Sequence, residues 1–172
     1  MDEAPRRIAV PSAEELVCQH AELVQRLAFR LCNSAEEARE AAQETFLNLL
    51  EALPGFRAQC AISTWIYRIT VNTCRGRGRR RQIRRTREAP LDQEPVDDRP
   101  SSQDRLEHEE RRAAVRREID RLPEDYRTVV VLHYLQRLKY EEIAAVLEIP
   151  LGTVKIRLFR AKRLLRSSLS PD

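Results

Sequence analysis

Glycine is scarce in this chain, with 4 in 172 residues, and aromatic side chains make up only 5% of it, with a single Trp. Sheets draw on aromatic and β-branched residues for strands and on glycine for tight turns, so this balance favours helix. No stretch approaches the run of about 18 apolar residues that a membrane span needs. The N-terminus, MDEAPRRIAVPSAEE, lacks the apolar core of a signal peptide. A soluble, cytoplasmic protein without membrane insertion is expected, and nothing after Asp172 leaves room for a built-in sensor. Cys18, Cys32, Cys60 and Cys74 form no Cys-x-x-Cys pair, and His20, His108 and His133 complete no zinc spacing. No metal site is therefore assigned, and the thiols are read as free and reduced. The one glycine-rich piece, RGRGRRR, carries too many cations for a phosphate loop and lacks its Lys-Ser/Thr ending. With no nucleophile and base cluster either, the chain is read as no enzyme and as carrying no cofactor.

What is present is charge, unevenly spread. Residues 1–55 carry 5 basic and 10 acidic side chains, 56–90 carry 10 and 1, 91–120 carry 6 and 10, and 121–172 carry 10 and 6. Two basic blocks around an acidic one imply two polyanion-facing surfaces.

Apolar residues recur at helical spacing in both halves. Leu16, Val17, Leu23, Val24, Leu27 and Leu31 predict a first helix, with Ser12 and Glu15 as its capping box. Ser34 and Glu37 repeat that pattern before a second helix, which Pro54-Gly55 stops. Ser63 or Thr64 is expected to cap a third helix along Ile66, Ile69 and Thr73, with Gly76 and Gly78 fraying its end. Residues 86–103, TREAPLDQEPVDDRPSSQ, are proline-rich, acidic and almost without large apolar residues, so a flexible linker is expected there. Leu106, Ala113, Val115 and Ile119 resume the helical period. TVVVLHYL has the valines of a strand, but Pro123-Glu124-Asp125 is a helix start and no partner strand exists, so it is read as helix. Tyr140 to Leu147 predicts a short helix, 149–151 a turn, and Thr153 to Leu165 the last helix. The fold class is all-α, in two small helical domains.

The segment IPLGTVKIRLFRAKRLLR places six cations within residues 155–166, with Ile156 and Phe159 among them. Two helices joined by a tight turn, the second cationic, form a helix-turn-helix whose second helix enters the major groove. Val154, Leu158, Ala161 and Leu165 share one face and are expected to bury against Ile143, Ala144 and Leu147. Lys155, Ile156, Phe159, Arg160 and Arg163 fall opposite. A merely solvated face has no use for Ile156 and Phe159, whereas a groove-facing one can set them against thymine methyls while Lys and Arg read guanine. A membrane-surface helix would need its apolar face free, and here that face is used for the core.

At this point a resemblance becomes specific. YEEIAAVLEIPLGTVKIRLFRAKRLLR, preceded by LPEDYRTVVVLHYLQRL, resembles the fourth conserved region of bacterial sigma factors of the small extracytoplasmic-function group. AAQETFLNLLEALPGF followed by STWIYRITVNTCR resembles the second conserved region. The resemblance implies a region 2-like domain over 12–85, a linker over 86–103 and a region 4-like domain over 104–170. It implies a promoter-specificity factor whose partners are core RNA polymerase, at the largest-subunit clamp and the flap, promoter DNA and an anti-sigma factor. Core binding falls to Gln43, Glu44, Phe46 and Leu47, with Phe46 equally readable as packed core. The minus-ten element falls to Arg57, Ala58, Gln59 and Cys60 of a loop, then Trp65, Arg68, Asn72, Arg75 and Arg77. Trp65 serves either as a stacking platform or as an interior anchor. The minus-thirty-five element falls to Thr153, Lys155, Ile156, Arg157, Phe159, Arg160 and Arg163. Arg79, Arg80 and Arg81 are expected to add nonspecific attraction. The sequence departs from the family pattern at three places. Ile156 stands where a small polar residue is usual, Lys139 where a serine usually completes a capping box, and Ala41 and Ala42 are small for a docking helix. The other reading is a conventional helix-turn-helix regulator that acts without polymerase.

Overall fold

The computed structural model describes residues 12–32, 34–87 and 103–169, with side chains in 12–32, 34–83 and 112–169. Among the described residues all regular structure is helical: α1 (Ala13–Leu31), α2 (Ala35–Ala52), α3 (Ile62–Arg87), α4 (Gln103–Arg121), α5 (Glu124–Val130), α6 (Tyr140–Leu147) and α7 (Leu151–Leu169). Most of the expected linker, 88–102, lies outside the described residues.

The capping chemistry operates as the sequence implies. The Ser12 hydroxyl accepts from the Glu15 N–H at 3.2 Å, and the Glu15 carboxylate accepts from the Ser12 N–H at 2.8 Å. Ser34 accepts from the Glu37 N–H at 3.2 Å to start α2. That helix ends in a single tight turn, Leu53–Gly55, because Pro54 has no N–H with which to continue it.

The first three helices form a bundle around Leu16, Val24, Leu27, Leu49, Ile66 and Val71, all buried. Truncating a fully buried leucine such as Leu27 to alanine would cost about 2–5 kcal/mol. Ala38, Ala41 and Ala42 point into this core. Their small size therefore sets how closely α2 approaches its neighbours and takes nothing from an outer docking face. The core continues through Val129, Val130, Val131, Leu132, Ile143, Val146, Val154, Leu158 and Ala161 of the C-terminal helices. The TVVVLHYL segment is helical, α5 widening into a π turn over Val131–Leu135 where the Gln136 N–H reaches back to the Val131 carbonyl at 3.0 Å.

Two expectations for α3 need correction. It begins at Ile62, with the Trp65 N–H bonded to the Ala61 carbonyl at 3.1 Å, so Ser63 and Thr64 lie inside its first turn. It also runs unbroken through Gly76 and Gly78 to Arg87. The intrinsic penalty of the glycines is offset by ion pairs to α2: Arg77 with Glu40 and Glu44, Arg80 with Glu44 at 2.7 Å, and Arg81 with Glu37 at 2.6 Å. Arg80 and Arg81 thus join two helices of the bundle as well as adding positive charge.

Candidate nucleic-acid interface

The helix-turn-helix is built from α6, a short turn and α7. Lys139 supplies no side-chain acceptor, yet half of the capping box survives, because the Glu142 carboxylate accepts from the Lys139 N–H at 2.6 Å. The chain leaves α6 through Glu148, which adopts the left-handed conformation at φ 54°, a strained choice for a residue with a Cβ. The Glu148 carboxylate pairs with Arg68 of α3 at 2.9 Å, which helps to hold that conformation. α7 starts two residues earlier than its periodicity suggests, since the Pro150 carbonyl accepts from Thr153 at 2.9 Å and brings Leu151 and Gly152 into the first turn.

α7 is two-sided. Val154, Leu158 and Ala161 are buried, Leu165 is half-buried, and Lys155, Ile156, Phe159, Arg160 and Arg163 are exposed. Ile156 is 54% and Phe159 67% exposed, which removes both from the core. Thr153 is half-buried at the start of the helix. Arg157 turns away from this face and bonds the Asp125 carboxylate at 2.6 Å. Lys162 holds its ammonium over the Tyr134 ring, 5.6 Å from the centroid.

The second cationic surface lies on α3 and the loop before it. Ala58 is left-handed, φ 53°, and its exposed neighbours Arg57 and Gln59 flank that bend, with Cys60 half-buried after it. Trp65 is half-buried and packs on Phe56, with ring centroids 4.9 Å apart, so it anchors the loop to the helix. Asn72 is exposed. Arg68 donates to the Ala145 carbonyl at 2.8 Å in addition to its pair with Glu148. Arg75 pairs with Glu124 at 3.2 Å and with Asp125 at 2.6 Å. Tyr67 adds a 3.4 Å contact to Gln136. Three of the assigned cations, Arg68, Arg75 and Arg157, are therefore bound to acids of the C-terminal half, and Asp125 serves two of them.

On α2, Gln43 and Leu47 are exposed, Leu47 to 61%, whereas Phe46 is half-buried against the core. Glu44 has a structural duty: hydrogen bonds from Arg77 and then Arg80 hold its carboxyl below the usual carboxylate value. Leu50, not singled out from sequence, is also exposed, and its place one turn beyond Leu47 could have found it. Glu148, Asp125 and Tyr134 carried no local signal.

The family description "Sigma-70 region 2" matches residues 16–84, and "Sigma-70, region 4" matches residues 112–165. The chain is 36% identical over 163 residues to the ECF RNA polymerase sigma factor SigE of Mycolicibacterium smegmatis, covering 94% of this chain and 63% of that protein's length. It is 34% identical over 164 residues to the RNA polymerase sigma-H factor of Pseudomonas aeruginosa, covering 91% and 85%. Among solved structures, the sigma factor RpoE in complex with the anti-sigma factor NepR from Bartonella quintana superposes with a TM-score of 0.74 at 20% identity, covering 92% of this chain and 97% of that one. CnrH in complex with the cytosolic domain of CnrY gives 0.64 at 25% identity, covering 91% and 86%.

Proposed function

The chain belongs to the extracytoplasmic-function group of the sigma-70 family, and from that premise we propose how its helices divide the work of promoter-specific initiation by RNA polymerase. Residues 12–85 act as the unit for core polymerase and the minus-ten element, and residues 104–170 as the unit for the minus-thirty-five element. The observation that carries this reading is the two-sided α7, whose exposed face sets Ile156 and Phe159 among Lys155, Arg160 and Arg163. Cations read guanine edges and apolar groups meet thymine methyls in the major groove, so this face has the chemistry for duplex sequence.

The minus-ten strand is read after the duplex has parted, where groove edges no longer exist. An extruded base needs a pocket and its phosphates need cations. Gln59, on the exposed loop beside Ala58, supplies the base-edge contact. Arg57, Arg68 and Arg75 supply phosphate contacts, the last two exchanging Glu148, Glu124 and Asp125 for phosphate. Core polymerase docks on the face of α2 that carries Gln43 and Leu47. A protein partner of the anti-sigma kind fits the same reading, since RpoE of the same fold was solved with NepR. Among the described residues no helix is long and apolar enough to cross a membrane.

Co-elution with purified core RNA polymerase on size exclusion tests the assignment. The wild-type chain should co-elute, and Leu47→Asp should weaken binding at least about tenfold while helical content is unchanged, because Leu47 is solvent-exposed. A wild-type chain that binds duplex DNA but never co-elutes with core would be a conventional helix-turn-helix regulator.

A further inference from the structure

Cys32 caps the C-terminal end of α1, and Cys74 lies within α3. Both line one cavity of about 340 Å³, where Glu37, Arg77, Arg127 and Thr128 face them from α2, α3 and α5. Cys74 is buried and Cys32 half-buried. Each thiol is the first influence on the other's acidity, and the interaction acts on the two groups in opposite directions. It is the first cause lowering Cys32 below the ordinary thiol value, and the Arg77 and Arg127 guanidiniums act the same way, against burial and Glu37. The same interaction and burial push Cys74 far up. The more accessible sulfur, on half-buried Cys32, is thus the one favoured as thiolate, beside a buried partner thiol in a cavity with room for a small oxidant.

We propose that Cys32 and Cys74 are a peroxide-reactive pair that closes to an intramolecular disulfide joining the end of α1 to α3. The Cys32 thiolate attacks one oxygen of hydrogen peroxide. The O–O bond breaks, leaving a sulfenic acid on Cys32, and the departing hydroxide is protonated to water. The Cys74 sulfur then attacks the Cys32 sulfur. The S–S bond forms, the S–O bond breaks, and the hydroxyl leaves with the Cys74 proton as a second water. Two thiols lose two electrons in total and one peroxide gains them. The new bond sits beside Arg75, whose guanidinium holds Glu124 and Asp125, so oxidation stiffens the bundle at its junction with α5.

The test treats the full chain with hydrogen peroxide, blocks free thiols with iodoacetamide and maps peptides by mass spectrometry with and without dithiothreitol. Exposed Cys18 is the internal reference. Cys32 should react about tenfold faster than Cys18, and a dithiothreitol-sensitive peptide linking Cys32 to Cys74 should appear. In Cys74→Ser the sulfenic acid on Cys32 should persist and be captured by dimedone, while in Cys32→Ser the remaining Cys74 should stay unoxidised. The proposal is overturned if wild type oxidises first at Cys18 or Cys60, if no Cys32–Cys74 peptide forms, or if Cys74 oxidises equally fast without Cys32. The wild-type measurements decide the matter even if either serine variant fails to fold.

Discussion

Phe159 and Arg160 are neighbours in sequence and both exposed on α7, yet they are suited to different features of a base pair. Arg160→Ala should cost on the order of 1–3 kcal/mol at the preferred minus-thirty-five sequence and relax discrimination there, as for the loss of a bidentate guanine contact. Phe159→Ala should leave the melting temperature unchanged, because the ring is 67% exposed, but should erase any preference for thymine over cytosine. Competition binding of holoenzyme on matched promoters, with a melting curve for each variant, checks both; a drop in melting temperature for Phe159→Ala would return that ring to the core. The exposure of both side chains was legible from sequence because a 3.6-residue period sorts inner from outer positions along one helix. Arg157 was not legible in the same way. Its partner, Asp125, lies on α5, and periodicity within α7 carries no information about a carboxylate 32 positions earlier.

At the scale of elements, the caps and stops of α1 and α2 were readable because they depend on residues within a turn of one another. The extent of α3 was not. Two glycines in a run of arginines read as a helix end by local propensity, and the carboxylates that hold those arginines belong to α2. Since α3 continues past them, the glycines are weak points in a formed helix. A Cβ added at Gly78 meets nothing within 4 Å. Gly78→Ala should therefore stabilise the protein by about 0.5–1 kcal/mol, measured by denaturant unfolding. A loss of stability would mean that the helix ends before residue 78. The same ladder reassigns Glu44, which ties Arg77 and Arg80 to α2. A charge reversal there would disturb the bundle as well as any docking face, which makes exposed Leu47 the cleaner probe of polymerase binding.

Across the whole molecule, the two halves meet through a continuous apolar cluster and, around it, through charge. Arg68 and Arg75 from α3 reach Glu148, Glu124 and Asp125, and Asp125 also holds Arg157 of α7. Composition showed two basic blocks around an acidic one but could not show which acids would neutralise which cations, because that pairing exists only once the core has formed. On the proposed function, these arginines would exchange their carboxylate partners for phosphates. Under that same proposal, this chain directs core polymerase by reading two separate promoter elements with two separate surfaces. Transcription by purified core polymerase plus this protein on a randomised promoter library, with the transcribed templates sequenced, tests it most directly. The predicted result is enrichment of two sequence blocks at a fixed separation, with Arg160→Ala altering only the upstream block and substitution of Gln59 altering only the downstream one. Transcripts no more selective than those from core alone, or a single block changed by both substitutions, would contradict it.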